Sequence, residues 1–296
     1  MKKTIFVVVI IIIGFGIYYF VKSPSSVVVN TNQNATTTVN TATTTVPVDK
    51  TKTVIGKSVE GRDIVAYHFG DGANEVIFVG GIHGGYAWNT AQLAYQVVGN
   101  LKANPTVVPA NVKVTIIPVL NPDGLNKVVG TSSPFTAADV STSEATVKAG
   151  RFNANDVDLN RNFACDWQIT GKWQSKTVSG GTSAFSEPET LALKNYIELS
   201  QPKAVVAWYS AAGGVYSSNC HNGILATTTA LTNAYAKASK YPAFQDFDFY
   251  ETTGDMTNWL AKINIPAISV LLATHNSTEL DKNLAGLEAV LKYIAK

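Results

Sequence analysis

The 296-residue chain is short of charge: Asp, Glu, Lys and Arg make up 15% of it, against about 25% in ordinary globular chains. Its 23 basic and 21 acidic residues leave a net charge of +2. No basic stripe runs through the sequence, which argues against a protein that holds a nucleic-acid backbone. Glycine recurs without a period and apolar content reaches 46%, so collagen, coiled coil and wholly disordered chains are excluded. Cysteine is scarce. Cys165 and Cys220 are the whole supply, and outside the cytoplasm such a pair is expected to be bridged, although sequence alone leaves the spacing of their Cα atoms open. From residue 23 to 48 charge is missing altogether; the stretch is Thr, Asn, Ser and Val with two prolines. Such a segment cannot bury a core and reads as a flexible tether.

One long apolar run is present, residues 5–21, IFVVVIIIIGFGIYYFV, between Lys3 and Lys22. Seventeen helical residues span about 26 Å, enough to cross a hydrocarbon core. A cleavable signal peptide shares the basic start and the apolar run. The length and the closing Tyr18, Tyr19 and Phe20 favour an uncleaved anchor with an interfacial aromatic belt. Lys2 and Lys3 place the N-terminus in the cytoplasm by the positive-inside rule. The expected organisation is therefore a membrane anchor at 1–22 (inserted through 4–21), a tether at 23–50 and an extracytoplasmic domain at 51–296, giving a single-pass membrane protein.

Within that domain short β-branched runs alternate with helical patterns. Strands are expected at Ile64–Phe69, Val76–Gly80, Val112–Val119, Ala204–Tyr209 and Ala267–Leu272, several of them apolar almost throughout, as in strands covered on both faces. Helices are expected at Thr90–Leu101, Pro188–Leu199, Thr229–Ser239, Met256–Ile263 and Glu279–Ile294. Asn89 or Thr90 suits the cap of the first, and Ser186 the start of the second, with Glu187 and Glu189 complementing its dipole. The alternation implies an α/β fold with a mostly parallel sheet between helices, and ligand sites beyond the carboxyl ends of its strands.

Four polar segments sit where such a site belongs: Gly80-Gly81-Ile82-His83-Gly84-Gly85; Asn121-Pro122-Asp123-Gly124; the run from Arg151 to Phe163, which contains Asp158-Leu159-Asn160-Arg161-Asn162; and Ser186-Glu187-Pro188-Glu189-Thr190. A fifth, Trp208-Tyr209-Ser210-Ala211-Ala212-Gly213-Gly214, closes a strand. In this combination and order, from about Ile55 to Lys296, the chain resembles the zinc carboxypeptidases of the carboxypeptidase A/B-like metallopeptidase family. The resemblance implies a three-layer α/β/α sandwich with a mostly parallel mixed sheet and one catalytic zinc. In such a site the metal activates a water and polarises the scissile carbonyl, a glutamate takes the water's proton, and arginines hold the substrate's terminal carboxylate by a bidentate fork.

Position by position, the substrate-holding half matches. The resemblance makes Arg151 the carbonyl-polarising arginine and Asn160 and Arg161 the carboxylate clamp. It makes Tyr250 the tyrosine that covers the bound peptide end. Asp255, near where the family sets side-chain preference, is expected to favour a basic or amino-bearing terminal residue. The metal half does not match. His83 occupies the first ligand position. The family's His-x-x-Glu puts its glutamate at Tyr86, or at Ala87 if one extra residue aligns Trp88. The second histidine falls at Tyr209 and the general base at Leu271. His68 reads as structural, and His221 and His275 are the other imidazoles within reach of the site.

Three functions are compatible with this pattern. One is an outward-facing, membrane-tethered domain that recognises free C-termini of peptides, cell-wall stem peptides among them, with hydrolysis impaired. A second is an active zinc-dependent metallocarboxypeptidase with an atypical ligand set. The third is a scaffold whose former site is filled by Tyr86, Tyr209 and Leu271.

Overall fold

The computed structural model describes residues 51–296; the expected anchor and tether lie outside the described residues. Among the described residues no helix is long and apolar enough to cross a membrane.

An eight-stranded sheet organises the domain. Its strands are β1 (Lys52–Lys57), β2 (Asp63–Phe69), β3 (Asn74–Val79), β4 (Val112–Ile117), β7 (Ala204–Ser210), β8 (Gly214–Ser217), β9 (Ala243–Phe244) and β10 (Ala267–Leu272). They run in the order β1-β2-β4-β3-β7-β10-β8-β9. The centre, β4-β3-β7-β10, is parallel, and antiparallel pairs flank it at β2–β4 and β10–β8. A separate hairpin, β5 (Thr170–Trp173) with β6 (Lys176–Ser179), stands apart. The helices are α1 (Trp88–Ala103), α2 (Pro122–Val129), α3 (Glu144–Ala149), α4 (Pro188–Ser200), α5 (Ala226–Ser239), α6 (Met256–Lys262) and α7 (Leu280–Ile294).

Period-two alternation along the central strands feeds two cores. Ile77, Val79, Val205, Ala207 and Leu271 pack on one face with Leu193 and Ile197 of α4 and Trp259 and Leu260 of α6. Val76, Phe78, Val206, Trp208 and Val270 pack on the other with α1, α5 and α7 through Leu93, Leu231 and Leu287. Apolar side chains pointing both ways are why β3 and β7 read as continuous hydrophobic runs. The three expected layers are present.

The capping expectations are corrected. Asn89 and Thr90 lie inside α1, whose N-cap is Ala87. Asn89 instead donates to the carbonyls of Thr274 and Ser277 and accepts from Ser210, tying the helix start to the end of the sheet. Thr90 accepts from the Gly81 amide. The N-cap position of α4 is Glu187, not Ser186, and its carboxylate does not cap. That carboxylate and Glu189's receive the Asn153 amide, and Glu187's also receives Asn155's, fixing the loop before Val157. Asn121-Pro122-Asp123-Gly124 proves to be a helix start: Asn121 accepts from the Gly124 amide, Pro122 fills N1, and Gly130 ends α2 at φ 75°.

Candidate functional site

Parallel β3, β7 and β10 end on the same side, and a cavity of about 980 Å³ opens there. Its lining includes His83, Tyr86, Arg151, Asn160, Arg161, Tyr209, Tyr250, Asp255, Leu271 and His275. Of the residues that the sequence placed at or within reach of the site, Ala87 and His221 are not part of that lining. Ala87 is buried in the 3-10 turn Gly84–Ala87, so of the two candidate glutamate positions Tyr86 is the one that faces the cavity. Register explains another pairing: Tyr209 of β7 lies opposite Leu271 of β10, so the second-histidine and general-base positions are neighbours on one face of the sheet.

The loops after β3 and α3 carry His83 and Arg151 into this space. Gly84 makes the first possible, since its φ is 44° and a Cβ there would lie 2.5 Å from the Gly150 carbonyl. Arg151 is buried; its Nε donates to Asp158 Oδ2 at 2.8 Å and its Nη2 lies 2.8 Å from the same oxygen. The guanidinium also lies 4.6 Å from the ring centre of Trp173, on the β5 edge of the hairpin. Burial alone would raise the Asp158 carboxyl pKa, but Arg151 and Arg161 overcome it and hold the group at about 2.

Arg161 is held differently. Its Nε and Nη2 donate to the Lys172 carbonyl at 2.9 and 2.7 Å, and Nη1 donates to the Asn160 carbonyl. Gly171 gives the room, because a Cβ there would sit 2.7 Å from Arg161 Cδ. Three of the five guanidinium N–H groups are used in this way and two remain. Asn160 gives one amide N–H to Asp255 Oδ2 at 2.8 Å, while its carbonyl oxygen accepts from Met256 N and from the Tyr209 hydroxyl at 3.3 Å. Tyr250 lies 5.9 Å from the Arg161 guanidinium, measured to its ring centre.

Asp255 has a structural task that the sequence did not reveal. It is the N-cap of α6, taking the Asn258 amide and the Thr257 hydroxyl on Oδ1 and Asn160 on Oδ2. Oδ1 thus accepts two hydrogen bonds and Oδ2 one, and the residue still lines the cavity.

The residues present do not fit a catalytic zinc. Such a site needs three protein ligands and an open position. His83 is buried with neither ring nitrogen hydrogen-bonded, and Nε2 lies 3.7 Å from Asp158 Oδ1. Burial and the nearby Arg151 charge push its pKa well below 6.5, so it is neutral and able to ligate. The residues at the other expected ligand positions are not. Burial, reinforced by the Asp255 charge, raises the Tyr209 pKa well above 10 and keeps it a phenol; burial likewise raises that of Tyr86. Leu271 offers no donor and no base. His275 lines the cavity 4.7 Å from the Tyr86 ring, whereas His221 pairs with Asp166 on the surface at 2.6 Å. His68 bonds Thr53 and Thr115, as a structural histidine does. Among the described residues one group of three ligand-type side chains converges, Cys165, Asp166 and Cys220, and its two sulfurs form the Cys165–Cys220 disulfide.

Asp158 and the Trp173 hairpin escaped the sequence reading. Asp158 lay within view inside the motif; Trp173, 22 residues after Arg151 in the chain, carried no local signal.

Comparison with known proteins agrees with this architecture. The chain is 32% identical over 154 residues to murein peptide amidase A of Vibrio campbellii, covering 48% of this chain and 58% of that protein. It is 28% identical over 182 residues to the human carboxypeptidase N catalytic chain, covering 57% and 37% respectively. The chain thus spans only part of these relatives. The fold matches bovine thrombin-activatable fibrinolysis inhibitor with a TM-score of 0.64 at 16% identity, over 82% of this chain and 89% of that one. It matches the murein-tripeptide amidase of Escherichia coli O157 with a TM-score of 0.58 at 21% identity, over 83% and 92%. Residues 39–279 match the zinc carboxypeptidase family from end to end of the site just described, and the chain belongs to that family.

Proposed function

We propose that this domain binds the free C-terminal ends of peptides and does so without zinc and without cleaving them. The observation that carries the reading is the division of the cavity. The arginine clamp is intact, buried and anchored, while the metal and base positions hold Tyr86, Tyr209 and Leu271.

In this arrangement the two unused N–H groups of Arg161 and the second N–H of Asn160 converge on a terminal carboxylate. Lys172 and Asn160 carbonyls fix the guanidinium plane, so little side-chain freedom is lost on binding. Arg151, stacked on Trp173 and locked to Asp158, presents its Nη1 to the last peptide carbonyl. Tyr250 closes over the bound end. A bound zinc would supply an activated water, and no residue here is placed to take that water's proton. The cavity of about 980 Å³ also disfavours a scaffold packed solid.

Cell-wall stem peptides fit as ligands on two grounds: the similarity to murein peptide amidase A, and an N-terminal anchor that would hold the domain outside the membrane. The anchored, outward-facing topology is part of this proposal and follows from residues 1–22 of the sequence.

Calorimetric titration of the full chain with a tripeptide and its C-terminally amidated twin tests the reading. The free acid should bind and the amide should not, with EDTA making no difference. Arg161→Ala should weaken binding by about 10- to 100-fold, as loss of a charged hydrogen bond requires. Equal affinity for acid and amide would overturn it, as would steady release of the terminal residue.

A further inference from the structure

The two cysteines meet between loops. Cys165 lies in the loop from Arg161 to β5, and Cys220 in the loop from β8 to α5. Each is followed by a residue able to ligate a metal, Asp166 after one and His221 after the other. Both followers take a left-handed backbone, with φ of 50° and 59°, a conformation that costs a residue with a Cβ. Neighbouring side chains diverge along an extended chain; here they converge. Asp166 Oδ1 lies 2.6 Å from His221 Nε2, and Asp166 Oδ2 lies 3.7 Å from Cys165 Sγ. One Asp166 oxygen and both sulfurs lie within 4.8 Å of one another. The sulfurs are buried, whereas Asp166 and His221 are exposed, so the cluster has a way in from solvent.

Two thiolates, an imidazole and a carboxylate are a tetrahedral zinc set, whose ligand atoms stand about 3.3–3.8 Å apart. Bonded to each other, the sulfurs cannot serve as thiolates; reduced, they can. We propose that, once the disulfide is opened, Cys165, Asp166, Cys220 and His221 hold a divalent cation of the zinc type. The reductant is a dithiol, which closes to its own disulfide and leaves two cysteine thiols. The cation then displaces both thiol protons to solvent. His221 ligates through Nε2 as a neutral imidazole with its proton on Nδ1, and releases a third proton if it was charged. The two loops are thus clipped in either state, by the sulfur–sulfur bond or by the ion. This cluster shares no residue with the former catalytic metal positions, and the inference does not rest on the peptide-end reading.

The probes are cobalt(II) and zinc, added to the full chain as oxidised and after reduction by a phosphine. The phosphine takes an oxygen from water, becomes its oxide and leaves the two thiols. Cobalt bound to thiolate absorbs by charge transfer, and the chain has no third cysteine, so that band reports this cluster alone. The reduced chain should take up one cobalt with the band, which zinc removes, and the oxidised chain should show none. Stability lost on reduction should be regained in part with stoichiometric zinc, read as melting temperature. Asp166→Asn and His221→Asn alter exposed residues and keep a side chain that tolerates the left-handed backbone. Each should weaken binding about tenfold or more, since even partners beyond the ligands count for that much. A reduced chain without the band overturns the proposal, as does affinity unchanged in both variants. A reduced chain that has lost its melting transition should recover it with zinc; one that stays unfolded with the ion present overturns the proposal too.

Discussion

Arg151 and Asp158 form a buried ion pair in which Nε and Nη2 both approach one oxygen, Oδ2, at 2.8 Å. Asp158's other oxygen lies 3.7 Å from His83 Nε2 and also accepts the Asn160 amide. One carboxylate thus positions two residues of the substrate half and lies beside the histidine of the metal half.

Acid should expose this dependence. The Asp158 pKa falls from 3.8 to about 2 on folding, so its contribution is present well above pH 3.8 and is lost as pH drops toward 2. The shift corresponds to about 2 kcal/mol. Chemical unfolding between pH 5 and pH 2 should show a steeper loss of stability for the full chain than for Asp158→Asn, which is less stable throughout because Arg151 is left buried and unpaired. Parallel curves would contradict this role for Asp158.

Restoring the missing ligands tests where the metal half lies. Tyr86→Glu, Tyr209→His and Leu271→Glu together should raise zinc binding above that of the unmodified chain, read as metal content after dialysis. Tyr86 is the better choice than Ala87, because it lines the cavity and Ala87 is buried in its turn. A folded triple variant without zinc would mean that these positions do not converge.

Gly171 is expected to matter through Arg161 alone. In Gly171→Ala the new methyl sits 2.7 Å from Arg161 Cδ, and relieving the contact costs about 1–3 kcal/mol or displaces the guanidinium. Affinity for a free C-terminus should fall while that of Gly130→Ala, where no atom lies within 4 Å but φ is 75°, falls only as far as stability does. Unchanged affinity in Gly171→Ala would show that Arg161 has slack.

The Cys165–Cys220 bond joins segments 55 residues apart, and chain entropy assigns such a loop about 4 kcal/mol. Replacing both cysteines with alanine, or adding reductant, should lower the melting temperature of the full chain clearly. A melting temperature that ignores reductant would show the bond to be absent or without weight.

The sheet centre was legible because its strands are apolar on both faces: β10 coincides with the expected Ala267–Leu272, and β2, β3, β4 and β7 differ at their ends by one or a few residues. The edge strands β1 and β9 and the β5–β6 hairpin were missed, since their exposed or half-exposed residues leave no apolar run to read, and β8 was missed because it is four residues long and opens on glycine. The caps failed for a related reason. A polar residue beside a helix start can serve a distant loop as well as the helix, and nothing local distinguishes the two uses.

By itself the sequence determined the family and the order of the motifs, because each is a matter of which side chain stands in a recognisable local pattern. Tertiary structure alone decided that Tyr86 rather than Ala87 faces the cavity, that Asp255 caps α6, and that Arg151 lies over the Trp173 ring. Those relations join residues tens of positions apart. Strand register and loop packing set them through space, and no periodicity along the chain records it.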